Sequence, residues 1–310
     1  MPTIQNSRSS ALAKEHRATL IGLTAIMSWG LAVGWVRSIS NDYGPVGGMA
    51  LMYTVASALL FLLPGRVDFK TISYRYLLLG GVLFTGTELT FSLSIGYAAN
   101  NHQAIEVSMI NYLWPTFTMI AFILLNGRRP TLLIIPGVLM SAAGVFRVLA
   151  EGHGIEFAAI YRDIASNPLS YGLALSSAIL WTLYSTLAAR MSGGKNYVPL
   201  FFVVVAMILW GKFLLSSDSM VMPNSTAIVH LLGGAAAMAA GYAAWNTGIL
   251  HGNRTLLAGA SYFIPVLSAA LAAFPLQTHL SASLLLGACI RSEPRRAGTD
   301  CRSRRPPFHL

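Results

Sequence analysis

Charge is what this sequence has least of. Only 10% of its 310 residues are Asp, Glu, Lys or Arg, against about 25% in an ordinary soluble domain. A water-exposed surface cannot be built from so few charges, and a mean hydropathy of +0.59 agrees. Cysteine is almost absent. Cys289 and Cys301 are too few for a disulfide framework and lack the spacing of a metal site, so neither a metal nor another cofactor is expected. Met1 to Ala18 lack the short apolar core and small-residue cleavage site of a removable leader, and the first apolar run is expected to stay in the protein. Acids are also scarce, 11 against 21 Lys and Arg for a net charge of +10. The basic residues lie between apolar runs or in the last twenty positions. They are not interleaved with aromatics on one face, which argues against nucleic acid as a partner.

What is abundant is the long apolar run. A helix needs about 20 mainly apolar residues to cross about 30 Å of hydrocarbon, so this length holds about ten spans and leaves no room for a soluble catalytic domain. The runs are Thr19 to Val36, Val46 to Leu63, Leu77 to Ala98, Ala104 to Leu125 and Thr131 to Leu149. After a polar stretch from Glu151 to Asn167 come Leu169 to Arg190, Val198 to Leu215, Ile228 to Leu250, Thr255 to Phe274 and a short run from Leu280 to Ile290. The fold class expected is an all-α polytopic membrane protein. It divides into an N-terminal segment (1–18), a first five-helix unit (19–149), a linker (150–168), a second five-helix unit (169–290) and a basic tail (291–310).

Lys and Arg concentrate in cytoplasmic loops, so alternate loops were compared. One side collects Arg8, Lys14, Arg17, Arg66, Lys70, Arg75, Arg128, Arg129, Arg190, Lys195 and Arg254. The other has only Arg37, Arg147, Arg162 and Lys212, with Glu151, Glu156 and Asp163 in its longest loop. An even number of spans with both termini cytoplasmic follows. The last run is anomalous: at 1.5 Å per residue, Leu280 to Ile290 reaches about half of the hydrocarbon thickness. The tenth helix is expected to be truncated, with the Arg- and Pro-rich sequence after it an abnormal continuation; a native disordered arm is the alternative.

The two halves carry matching features. Asn111-Tyr112-Leu113-Trp114-Pro115 in the fourth span parallels Ser261-Tyr262-Phe263-Ile264-Pro265 in the ninth. A Gly/Asn turn precedes each, Gly96 to Asn101 and Gly248 to Asn253. Trp29 and Trp181 sit centrally in the first and sixth spans, with Arg37 and Arg190 near the helix ends. Five spans per unit is an odd number, so the second unit enters the membrane from the opposite side, as in inverted-repeat transporters, which bind substrate between the repeats. Pro115 and Pro265 each remove a backbone hydrogen bond and free the carbonyl four residues earlier, those of Asn111 and Ser261. Both helices are therefore expected to kink toward one internal cavity, the alternative being a kink re-satisfied by a neighbouring helix.

Candidate cavity residues follow from depth and chemistry. Trp29, Trp114 and Trp181 fall near mid-span, and with Tyr112, Tyr262, Tyr242 and Trp245 they form a set of flat apolar walls; ordinary helix packing is the competing reading. Trp35, Trp210, Tyr53 and Tyr74 read as interfacial belt residues. An ionisable group within a span is expensive and points to function. Glu88, mid-span among Thr85, Thr87, Thr90 and Ser92, is the candidate for an ammonium or proton site, or else a neutral carboxyl bonded to those hydroxyls. Glu106 reads instead as a helix N-terminal acid. Asn111, Asn246 and Ser261 add hydrogen-bonding capacity. The small residues Gly233 to Ala237 and Ala258 to Ala260 suit either a sliding or a tight static interface. No His-rich, Cys-rich or paired-carboxylate arrangement in the spans supports an enzyme.

The stretches Ile26 to Gly30, Glu106 to Pro115 and Ala243 to Gly248, running on to Ser261 to Pro265, resemble the drug/metabolite transporter superfamily in its EamA-type branch, and within it the bacterial exporters of aromatic amino acids. The resemblance covers roughly Thr19 to Pro275. It implies an inner-membrane carrier that exports aromatic and other neutral amino acids by alternating access through a central cavity. Its partners would be a small-molecule substrate, the lipid bilayer and a possible second copy in a homodimer. A carrier of the same fold for other metabolites or cationic drugs is the nearest alternative. A receptor or scaffold that binds without flux is the alternative of another class.

Overall fold

The computed structural model describes residues 3–63, 73–126, 157–187, 191, 195–217, 219–220, 224–261, 263–264, 267–268 and 271. Every regular element among them is a helix: α1 (Thr3–Tyr43), α2 (Gly47–Leu62), α3 (Tyr74–Gly96), α4 (Asn101–Asn111), α5 (Trp114–Asn126), α6 (Phe157–Ser166), α7 (Pro168–Thr186), α8 (Val198–Leu215), α9 (Ser225–His251) and α10 (Arg254–Ser261). Four segments are long and apolar enough to cross a membrane, Leu12–Tyr43, Tyr74–Gly96, Val198–Leu215 and Ser225–His251. The fifth span, the tenth span, the basic tail and Arg190 of the sequence reading lie outside the described residues.

Three local outcomes differ from the sequence reading. Residues expected as an N-terminal segment continue the first helix, which starts at Thr3. The polar linker contains α6, whose Phe157, Ile160 and Ile164 recur at helical spacing beside Arg162 and Asp163. The fourth span is two helices rather than one kinked helix.

Asparagine sets several helix starts. Asn100, Asn167, Asn224 and Asn253 accept from the backbone N–H three residues on, at 2.8, 3.3, 2.8 and 3.0 Å, satisfying donors that the first turn leaves unpaired. Gly44, at φ +85°, makes the left-handed turn between α1 and α2, a conformation costly for any residue with a Cβ.

Polarity is distributed inside out. Leu62, Leu78, Leu124, Leu214 and Leu215 are between 70% and 91% exposed, whereas Ser92, Ser94, Ser108, Ser170 and Ser177 are wholly buried. Only a hydrocarbon surround makes that arrangement stable, because an apolar rim in water forfeits the hydrophobic driving force. Hydroxyls buried in the helices meet carbonyls of their own preceding turn, as Thr87 does with Leu83 (2.8 Å), Thr182 with Ala178 (2.9 Å) and Thr186 with Thr182 (2.6 Å).

The closest helix pair is α1 with α9. A Cβ added at Gly248 would stand 2.7 Å from the Cα of Gly22, and one at Gly234 would stand 2.6 Å from Ile39 Cδ1. The small residues of α9 thus make a tight seam against α1, of the kind through which membrane helices approach when no hydrophobic force separates them from lipid.

The break between α4 and α5 follows from Pro115. Proline has no N–H to give the Asn111 carbonyl, and its ring clashes with that carbonyl in a continuous helix. The chain therefore closes α4 with a last α-helical bond, Tyr112 N–H to Ser108 O (3.0 Å), and a tightened one, Leu113 N–H to Ile110 O (3.0 Å), then restarts with Phe117 N–H to Leu113 O (3.0 Å). Pro115 occupies the second position of α5, where its missing donor is no loss. The same bonds recur 150 residues later, from Phe263 N–H to Ala260 O and from Leu267 N–H to Phe263 O, both 3.0 Å.

Candidate functional site: a polar and aromatic cavity between the helices

One internal cavity is ringed by six chain segments. α1 contributes Trp29 and Ala32; α3 contributes Thr87, Glu88 and Phe91; Asn111, Tyr112 and Trp114 come from the α4–α5 break. α7 adds Ser177 and Trp181, α9 adds Met238 and Tyr242, and Ile264 follows α10. Irregular backbone at membrane depth is tolerated where it lines such a space, which gives the break its place in the wall. α2 and α8 stand behind this ring.

Glu88 is the acid of the cavity and is 2% exposed. Its Oε2 accepts a hydrogen bond from Tyr53 Oη on α2 at 2.8 Å, and its Oε1 accepts a short one from Tyr242 Oη on α9. Tyr53 Oη also lies 2.7 Å from Ser92 Oγ. Among the described residues no Lys, Arg or His stands within ion-pair distance of this carboxyl group, so hydroxyl donors alone hold it. Those donors come from other helices. The threonines beside it in α3, Thr87 and Thr90, bond to the carbonyls of Leu83 and Gly86 instead, which corrects the expectation that the α3 stripe would satisfy it.

Aromatic rings fix this arrangement. Tyr242 meets Trp29, Phe84 and Phe202 at centroid distances of 5.3, 5.4 and 5.1 Å, each edge to face. Trp114 and Trp181 are T-shaped at 6.0 Å. Such pairs contribute about 0.5–1.5 kcal/mol each beyond their buried area, and they hold the rings in place. Among the described residues, the buried Asn111 Oδ1 and Trp29 Nε1 have no hydrogen-bond partner. A buried group without a partner costs about 1–3 kcal/mol.

Seven of the eleven binding candidates named from the sequence line this cavity: Trp29, Glu88, Asn111, Tyr112, Trp114, Trp181 and Tyr242. Trp245 stands one layer out, with its ring 5.1 Å from that of Trp29. Asn246 and Ser261 do not line the space, although Ser261 is buried. Tyr262 and Pro265 lie outside the described residues. Tyr53, read as a belt residue, is fully buried and supports Glu88. Its place at the centre of the run Val46 to Leu63 was the signal for that, since a belt residue belongs at a span's end. Ser177 was not singled out, and Thr87 only as a neighbour of Glu88; the Ser177 hydroxyl donates to the Thr87 carbonyl at 3.1 Å and ties α7 to α3.

Both ends of the bundle are tied beyond the cavity. Where α1 and α3 finish and α4 and α7 begin, Arg37 reaches Asn101 Oδ1 (3.1 Å) and the carbonyls of Ile95 (3.3 Å), Gly96 (3.3 Å) and Ala98 (2.7 Å), a cation at the negative end of α3. Nearby, Asn167 Nδ2 donates to the Tyr97 carbonyl (2.9 Å) and Gln103 Oε1 (2.7 Å), and Tyr171 Oη donates to Glu106 (2.6 Å). Glu106 is thus a buried tie between α4 and α7, flanked by His102 at 3.5 Å, rather than a helix N-terminal acid. At the opposite end the hydroxyls of Tyr76 and Tyr184 meet at 3.0 Å, joining α3 to α7, and Asn253 N–H donates to Thr19 Oγ1 at 2.8 Å.

Comparison with known proteins gives consistent results. The profile of the EamA-like transporter family matches residues 16–150. The chain is 43% identical over 273 residues to the aromatic amino acid exporter YddG of Salmonella typhimurium, an alignment spanning 88% of this chain and 93% of that protein. It is 42% identical over the same shares to the aromatic amino acid exporter YddG of Escherichia coli K12, and 26% identical over 259 residues to that of Ancylobacter novellus, covering 81% and 86% of the two chains. A solved crystal structure superposes with a TM-score of 0.66 at 24% identity, over 89% of this chain and 94% of the other, which supports the fold.

Proposed function

This chain belongs to the EamA-like transporter family, and from that membership and the cavity we propose that it exports amino acids, aromatic ones first, across the inner membrane. It is a multi-pass membrane transporter and not an enzyme. The observation that carries the substrate reading is the buried carboxyl group of Glu88 in a wall of Trp and Tyr rings. An aromatic amino acid has three parts to place. Its ring packs on Trp29, Trp114 and Trp181; its ammonium replaces lost water with Glu88 and the Asn111 amide; its carboxylate takes neutral donors of the wall. A group that leaves water needs such replacements, or its desolvation is uncompensated.

Transport is by alternating access between two inverted five-helix repeats. Supporting this reading are the matched Trp29 and Trp181 and the backbone break repeated after 150 residues. The irregular backbone at Tyr112 and Leu113 beside the cavity also supports it, since discontinuous helices form the substrate site in repeat-built carriers. The ties at the two ends of the bundle open in turn, and the excess of Lys and Arg on one side sets both termini in the cytoplasm.

The test is uptake and counterflow of labelled phenylalanine, threonine and methionine in proteoliposomes containing the purified protein, with and without a pH gradient. Saturable phenylalanine flux above protein-free vesicles is expected, reduced at least tenfold in Glu88→Gln. Absence of flux for all three amino acids would remove the amino acid reading. Unchanged flux in Glu88→Gln would remove Glu88 from the site.

A further inference from the structure

The charges around the cavity are unequal, and a zwitterion does not need all of what they provide. Among the described residues, Glu88 is the one carboxylic acid in the wall, and no Lys, Arg or His lines the space. Besides the carboxyl group, Asn111 lines the same volume and carries an amide oxygen, a second acceptor type. The faces of Trp29, Trp114 and Trp181 carry the negative side of the ring quadrupole, which attracts a cation and repels an anion. A ligand carboxylate, by contrast, meets no cationic partner among the described lining residues. It also enters a low-dielectric space beside the Glu88 carboxyl group, which repels it whenever that group is ionised.

We propose that the cavity is in its chemistry an arylalkylammonium site, in which the ligand's ammonium and ring are required and its carboxylate is dispensable. Primary arylalkylamines and carboxyl-blocked aromatic amino acids are therefore ligands of the same site. The inference rests on the functional reading above and adds the class of compound that the exporter accepts beyond amino acids. A neutral donor set tolerates a carboxylate without demanding one, so amino acids remain substrates. An arylalkyl acid without an ammonium is excluded: it leaves the Glu88 acceptors unmatched and brings a negative charge that no cation among the described lining residues balances.

The experiment uses the full-length protein. Phenethylamine, phenylalanine amide and 3-phenylpropionate are each tested as inhibitors of labelled phenylalanine counterflow in proteoliposomes. The same compounds are titrated in detergent against the intrinsic fluorescence of the cavity tryptophans, a readout that passive amine permeation does not touch. The amine and the amide are expected to inhibit and to quench at concentrations no more than threefold above phenylalanine. The phenylpropionate is expected to be at least thirtyfold weaker. Glu88→Gln, checked for its melting temperature, is expected to lose at least tenfold in amine quenching; the ranking of the three compounds on the unaltered protein needs no variant. Phenylalanine counterflow that the amine does not inhibit overturns this inference and leaves the amino acid reading standing. Phenylpropionate equal to or better than the amine overturns it as well. Amine quenching without any phenylalanine flux upholds the site's chemistry and removes phenylalanine as the transported solute.

Discussion

Tyr242 on α9 donates its hydroxyl to Glu88 on α3, a hydrogen bond across 154 residues of sequence. Tyr53 occupies the other oxygen of the same carboxyl group from behind. The two tyrosines have different surroundings, because Tyr242 lines the cavity and Tyr53 does not.

Their phenylalanine variants should therefore part company. Either one takes a donor from a buried carboxyl group, which costs about 1–3 kcal/mol and more if the group is charged. Tyr242→Phe is expected to weaken phenylalanine binding about tenfold, equivalent to about 1.4 kcal/mol. Tyr53→Phe is expected to lower the melting temperature in detergent while KM moves less than in Tyr242→Phe. Transport kinetics and thermal unfolding on both variants separate the two roles.

The Trp29 indole is backed by a glycine. A Cβ at Gly241 would lie 3.0 Å from Trp29 Nε1 and 3.2 Å from Ser28 Cβ, so Gly241→Ala drives the ring toward the cavity. Overpacking of this kind costs about 1–3 kcal/mol. The expected outcome is a KM that rises more for tryptophan than for phenylalanine, measured by competition in counterflow. Equal effects on both would show that the ring does not move into the substrate's space.

Arg37 holds the turn from α3 to α4 through four oxygen atoms and is 8% exposed. Arg37→Ala leaves buried acceptors unpaired at about 1–3 kcal/mol apiece. Lys carries the charge but not the planar fork that reaches several acceptors at once. Melting temperatures are expected to fall in the order native, Lys, Ala; a lysine variant equal to native would mean that charge at the helix end suffices.

Tyr171→Phe removes the 2.6 Å donor from Glu106 and loosens α7 from α4. A loss of thermal stability is expected, with little change in the affinity for phenylalanine, since neither residue lines the cavity. Tyr161, 73% exposed on α6, serves as the control: Tyr161→Phe should leave the melting temperature unchanged.

Much of the cavity was legible in one dimension because the membrane makes depth readable. A span has a middle, and polar or ionisable residues placed there need a reason. That logic found Glu88, Asn111 and the three mid-span tryptophans. It should also have found Tyr53, which sits at the centre of its own run. It could not find Ser177, one hydroxyl among the many of α7, which matters only because α3 passes within reach. Trp245 and Asn246 lie within a span but do not line the cavity, Trp245 packing against the ring of Trp29 instead.

Composition and periodicity alone determined that this chain is a bundle of membrane helices disturbed at Pro115, since too little charge, long apolar runs and a residue without an N–H act locally, whatever the neighbours are; that the disturbance is a full break appeared only in the structure. The partners of Glu88 were decided only in three dimensions. A carboxyl group in α3 is reached by hydroxyls from α2 and α9 through the rotation of each helix about its axis. That rotation is set by the packing of small against large residues, such as Gly234 under Ile39 and Gly248 against Gly22, and no single stretch of sequence contains both sides of such a contact.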